Sequence, residues 1–244
     1  MRRIAFSLLL ILPLACTLGF GGQSVPMGAL PRSISAPATP PTTACAVLAP
    51  ASPVTTSAID TTGATAIVFG TSFYALGGAT GITVTDNKAN GPAVALTVHT
   101  NGGEGSQLLY YLLPTVGPGH TFTISSTGGS NYYASACITL LFGPTVFDAG
   151  TDQGGTGVST TCQIGTAINP GAGSHTIISA VTPGNEGAAT PDSGFTVLGT
   201  PEPSGGVGWT LTEAYLIQAS GSSVQPTWTH PAASNPACSI ASFH

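Results

Sequence analysis

His120-Thr121-Phe122-Thr123-Ile124-Ser125 decides the fold class. In an extended chain successive side chains point to opposite faces, so Phe122 and Ile124 share one side and Thr121 and Thr123 the other. Gly81–Thr85 and Val94–His99 alternate in the same way. Ala64–Phe69, Gln107–Leu112 and Tyr132–Phe142 are apolar runs of the kind that fill buried strands. Thr161–Ile168, His175–Val181, Phe195–Leu198, Trp209–Ile217, Gln225–Thr229 and Cys238–Phe243 continue the pattern to the end of the chain. Turn formers separate these runs: Thr61-Thr62-Gly63, Asp86-Asn87-Lys88-Ala89-Asn90-Gly91, Gly117-Pro118-Gly119 and Pro183-Gly184-Asn185. After the first two dozen residues no window offers a helical period with caps. Strands in close succession without helices predict an all-β fold, an antiparallel two-sheet sandwich. About eleven or twelve strands suit a jelly-roll-like sandwich better than an immunoglobulin domain. No segment recurs at a fixed period, which argues against a solenoid.

Charge is nearly absent. Lys+Arg is 4 and Asp+Glu is 9 in 244 residues. Two of the basic residues are Arg2 and Arg3, which leaves Arg32 and Lys88 for everything downstream. Two cations cannot neutralise a run of phosphates, so nucleic acid is excluded as a partner. The surface must instead carry Thr, Ser, Asn, Gln and Gly, as exported β-proteins do.

The N-terminus supports export. Arg2-Arg3 precedes the apolar run Ile4–Leu12, which fits a signal peptide over residues 1–21 and is too short for a permanent membrane span. Pro13-Leu14-Ala15-Cys16 resembles a lipoprotein box and makes Cys16 a lipidation candidate; cleavage after Gly21 is the alternative. A single acyl chain would give only reversible attachment, and it is the one membrane contact expected. Residues 22–43 form a Pro/Ser/Ala-rich linker, extended and semi-rigid. Residues 44–244 form a single β-sandwich domain. Its Cys45, Cys137, Cys162 and Cys238 are an even set in an exported chain, and three connectivities are open to them. Pairing of the first and last strands favours Cys45–Cys238, with Cys137–Cys162 as the second bridge.

Four stretches carry a resemblance: Ser57–Ala64 leading into an apolar strand, Val84–Asn90, Val116–Thr123 and Ala214–Gln218. In this order they resemble a β-sandwich module of bacterial secreted and phage virion proteins, over roughly residues 44–244. The resemblance implies fold and compartment and brings no activity with it.

No G-x-S-x-G elbow, H-E-x-x-H or phosphate-binding loop in a strand–turn–helix setting is present, so no catalytic residue is assigned. Glu213 is the one glutamate in a strand, sharing a face with Trp209 and Tyr215; a glycosidase would need it and a second acid across the bond. The alternative is a solvated rim carboxylate. Asp86, Asn87 and Asn90, and separately Asp148 and Asp152, could supply oxygens to a structural Ca²⁺, or simply close local turns. Tyr111, Tyr133, Trp209, Tyr215 and Trp228 are candidate stacking rings for a glycan or a surface protein. The expected function is an exported, non-enzymatic adhesion, recognition or structural module at the cell surface or in the medium. A secreted carbohydrate-active enzyme and a phage virion decoration or tail component are the alternatives.

Overall fold

A computed structural model describes residues 39–47, 53–75, 78–128, 134–143, 146–154, 157–184, 187–192, 194–201 and 210–244. The expected signal peptide, Cys16, nearly all of the expected linker, Tyr133 and Trp209 lie outside the described residues. The described chain is all-β and antiparallel throughout, with no helix.

Eight strands fill the first half. They are β1 (Thr42–Val47), β2 (Val54–Thr55), β3 (Ala66–Tyr74), β4 (Ala79–Asp86), β5 (Val94–Asn101), β6 (Glu104–Leu112), β7 (Phe122–Gly128) and β8 (Ser135–Leu141). Eight more fill the second: β9 (Phe147–Gly154), β10 (Ser159–Gln163), β11 (His175–Thr182), β12 (Thr190–Pro191), β13 (Thr196–Gly199), β14 (Thr212–Gln218), β15 (Thr227–Ser234) and β16 (Ala237–Phe243). Each predicted run coincides with or overlaps one of these strands.

The two halves have the same topology. The first builds a five-stranded sheet β1-β8-β3-β6-β5 and a three-stranded sheet β2-β7-β4. Adding eight to each label gives β9-β16-β11-β14-β13 and β10-β15-β12, the two sheets of the second half. In each half the first strand pairs with the eighth, the second with the seventh and the third with the sixth. That nesting is a wound antiparallel ribbon, the double Greek key of a jelly roll. Both halves also depart from it alike: the fifth strand pairs with the sixth, ending the larger sheet. The jelly roll is thus present twice in tandem, as an internal duplication that no fixed sequence period reveals.

Three cores follow from this layering. Ile67, Phe69, Phe73, Val84, Leu109, Tyr111, Phe122 and Ile124 fill the first sandwich. Ile164, Ile177, Val181, Ala214, Trp228 and Ile240 fill the second. The third core lies between the two five-stranded sheets, where Ala66, Val68, Leu108 and Leu141 meet Ile178, Ala180, Ala241 and Phe243. Consequently β3, β8, β11 and β16 are buried on both faces, which explains their continuous apolar or small-residue sequences. The facing is reciprocal: β3 lies against β11, β1 against β13 and β5 against β9. Strand one of each half therefore meets strand five of the other, the isologous arrangement of a two-fold dimer within one chain. Tyr110, Phe147 and Phe243 form a ring cluster across it, with centroids 5.9–6.2 Å apart. Ser239 reaches Ser106, and the Thr182 hydroxyl donates to Gly105 O, pinning the halves through polar contacts.

The cysteine pairing differs from expectation. Cys45 is bonded to Cys137 and Cys162 to Cys238. The physical reason is the duplication. First and last strands do pair, but within each half, so Cys45 on β1 lies opposite Cys137 on β8. Cys162 on β10 bridges instead to Cys238 on β16, tying the small sheet of the second half to the large one through their shared core. Each bond closes a loop confined to one half, of 92 and 76 residues. Loops this long make a disulfide worth about 4 kcal/mol in the chain-entropy model, and engineered or native bridges typically deliver about 2–4. Cys162→Ser with Cys238→Ser should lower the unfolding free energy by about 2–4 kcal/mol in denaturant titration. Peptide mapping of the oxidised parent should recover the two observed bridges; a Cys45–Cys238 peptide would contradict the duplicated topology.

Candidate functional site

The Asp86 loop is closed on itself. Asp86 Oδ1 accepts the backbone N–H groups of Lys88 (3.2 Å) and Asn90 (3.0 Å), and Oδ2 takes the Asn90 side-chain amide and His120 Nε2 (2.7 Å). Asn87 Oδ1 accepts Thr121 N–H, and its amide donates to Gly119 O. Asn90 Oδ1 accepts Thr115 N–H. These oxygens already serve donors, so the three residues form a local turn rather than a calcium cradle. Burial pushes the Asp86 carboxyl up, but the Asn90 amide and backbone and His120 together outweigh it and hold it below its ordinary value.

His120 extends that turn inward. Its Nδ1 lies 2.9 Å from the Thr61 hydroxyl and its Nε2 donates to Asp86. Hydroxyl, imidazole and carboxylate in line have the connectivity of a nucleophile relay. Thr61 and His120 are both fully buried, however, and the ring stacks on Phe122 at 4.3 Å. Thr61 also bonds both backbone groups of Gly117. No substrate reaches the hydroxyl, and the relay ties the segment ahead of β3 to the β4–β7 layer.

Glu213 is neither on a rim nor in a cleft. It points into the core between the halves and is fully buried. Thr139 on β8 hydrogen-bonds its Oε1, Thr139 meets Thr43 Oγ1 at 3.0 Å, and Thr43 lies 3.2 Å from Ile138 O. Its Oε2 has no hydrogen-bond partner and sits where a Cβ on Gly70 would be. Burial, opposed by hydrogen bonds from Thr139 and the Gly70 backbone, raises the Glu213 carboxyl to about 8. The Thr139 hydroxyl donates to Glu213 Oε1 and also lies against the Thr43 hydroxyl, which donates to Ile138 O. Among the described residues Glu104 is the other glutamate, in the first residue of β6 and buried. Among the described residues no second acid faces Glu213 across a groove.

The stacking rings are mostly inside. Trp228 is fully buried in the second sandwich, its indole N–H donating to Ser179 Oγ at 3.1 Å. Tyr111 is buried in the first, its hydroxyl 2.9 Å from Gly91 O and 3.0 Å from Val84 O; burial also pushes its phenol up. Tyr215 packs half-buried against the core between the halves. The expectation that these rings lie open to a glycan is corrected for Trp228 and Tyr111. Alternation along a strand cannot tell an outward face from a second buried one when sheets stack in four layers.

Asp148 is placed in β9, a strand where the sequence suggests a ligand-bearing loop. Asp152 lies four residues on, opposite Ser239, and its side chain is outside what the structure describes. Asp148 instead meets His175 at the start of β11 and His244 just past β16, and one donor atom from each of the three lies within 4.8 Å of the others. Its Oδ2 is 3.5 Å from His175 Nδ1 and accepts Gly171 N–H at 2.7 Å. His175 Nε2 lies 2.8 Å from Gly171 O. No spacing in the sequence announces this cluster, because three neighbouring strands deliver one residue each. In comparisons with protein-family models, with curated proteins and with solved structures, nothing matches this chain.

Proposed function

We propose that this chain is an exported, non-enzymatic adhesion, recognition or structural module. The observation that carries the proposal is the burial of Glu213 and Trp228: the acid and the ring a sugar-cleaving site would need are spent on joining layers. Two disulfides and a nearly chargeless surface fit a compartment outside the reducing cytosol. Contact with a partner would fall to the sheet edges and loops. β5 ends one large sheet with Val94 and Val98 exposed, and its counterpart β13 ends the other with Val197 exposed. Edge strands of this kind recognise protein partners by strand addition or side-chain docking. The jelly roll also builds viral capsid and lectin domains, so fold analogy alone is compatible with a virion component.

The full chain with its leader, expressed in a bacterium, should appear in the envelope or medium with both bridges formed. The purified protein should bind a surface protein or glycan saturably and leave a panel of polysaccharides uncut. New reducing ends released from any of them, and lost in Glu213→Gln, would overturn the non-enzymatic assignment.

A further inference from the structure

We propose that Asp148, His175 and His244 form a binding site for a divalent transition metal of the zinc class, with three protein ligands and an open fourth position. The argument starts from one proton. His175 is fully buried and its Nε2 lies 2.8 Å from Gly171 O, a pure acceptor, so Nε2 carries the hydrogen. In the neutral ring Nδ1 then bears a lone pair, and Nδ1 has no hydrogen-bond partner. That lone pair faces Asp148 Oδ2 at 3.5 Å. Two acceptors directed at each other, one fully buried and the other partly exposed, call for a cation between them.

The Asp148–His175 separation suits a metal. Bonds of about 2.0–2.1 Å in a tetrahedron put neighbouring ligand atoms about 3.4 Å apart, close to the observed 3.5 Å. His244 is exposed, with its ring centroid 5.5 Å from that of His175, and rotates about its own side chain to complete the set. The supporting shell is present as well. Metal-ligating imidazoles donate their other N–H to a carbonyl or carboxylate, as His175 does to Gly171 O. Gly171 N–H meanwhile holds Asp148 Oδ2 at 2.7 Å, so one residue orients both ligands. Two nitrogens and one carboxylate favour zinc and its neighbours over calcium, which takes oxygens.

The fold itself does not demand these residues. Thr176 pairs with Phe243 as Ala66 pairs with Leu141 in the first half. The next positions outward are His175 and His244 in one half and Thr65 and Phe142 in the other. The same corner is therefore built once with two imidazoles and once with none.

The test uses the tag-free full chain, stripped by a chelator, and Zn²⁺ alone titrated against a chromophoric competitor. One equivalent should bind with micromolar affinity or tighter, millimolar Ca²⁺ should not displace it, and the melting temperature should rise with free Zn²⁺. His244→Ala, at an exposed position, and Asp148→Asn should each weaken binding about tenfold or more. Absence of stoichiometric binding would overturn the site and leave a plain His175–Asp148 ion pair. Affinity unchanged in both variants would overturn it equally, by placing the metal elsewhere.

Discussion

Trp228→Ala should cost about 3–5 kcal/mol of unfolding free energy, among the largest losses any single truncation in this chain produces. The indole is fully buried between the two sheets of the second half. On β15 it lies opposite Cys162 on one side and Pro191 on the other. Removing it deletes the largest fully buried side chain among the described residues, leaves a cavity among Ile, Val and Ala, and strips Ser179 Oγ of its donor. The Cys162–Cys238 bond next to it limits how far the two sheets can close over the hole. Trp228→Phe keeps most of the volume and should lose clearly less. Guanidinium titration followed by near-ultraviolet circular dichroism measures both variants. An alanine variant within about 1 kcal/mol of the parent would mean the indole is not the packed centre of the second sandwich. The result also governs how binding data are interpreted, since lost binding in this variant reports unfolding rather than a missing contact.

The strands were legible because alternation is a local property. Phe122 and Ile124 could be assigned to one face from six residues, and both lie in the first core. The duplication was not legible because topology constrains parity and burial, not identity. β3 is Ala-Ile-Val-Phe-Gly-Thr-Ser-Phe-Tyr and β11 is His-Thr-Ile-Ile-Ser-Ala-Val-Thr; both run buried along their length and hold the same place in their sheets. Nothing in the letters aligns them. The wrong disulfides follow from that single gap: pairing first with last strand is sound physics applied to the whole fold, whereas the strands pair that way within each half. Glu213 shows a different limit. Alternation puts it on the face of Tyr215, which packs against the core between the halves, yet a face turned toward a second sandwich looks in sequence like one turned toward water. The Asp148 cluster could not be found from spacing, since its members come from β9, β11 and the residue after β16.

Glu213→Gln should remove most of a pH dependence of stability and make the protein more stable than its parent in mild alkali. The carboxyl stands at an ordinary 4.5 in the unfolded chain and is raised to about 8 in the fold, chiefly by burial. Below pH 4.5 both states hold the proton and the contribution to stability is complete. Between about 4.5 and 8 the unfolded chain releases a proton that the folded chain keeps, so stability falls as pH rises. Above about 8 both states are ionised and no further loss accrues. At 1.36 kcal/mol per pH unit, the gap between the two values bounds the loss at about 5 kcal/mol. Asp86 works in the opposite sense and in another window: its lowered carboxyl contributes stability that disappears only in acid, so the two do not mask each other. Glutamine is nearly the same shape, stays neutral, and its amide oxygen can accept from Thr139 as Glu213 Oε1 does. Unfolding free energies from urea titration should therefore nearly coincide at about pH 5 and separate in favour of the variant at about pH 9, by several kcal/mol. Gly70→Ala should be destabilising in the parent, since its methyl would occupy the place of Oε2, and much less so when Glu213 is shortened to Ser. Parallel pH profiles for parent and Glu213→Gln would show that the acid is solvated and that the two large sheets do not meet over it.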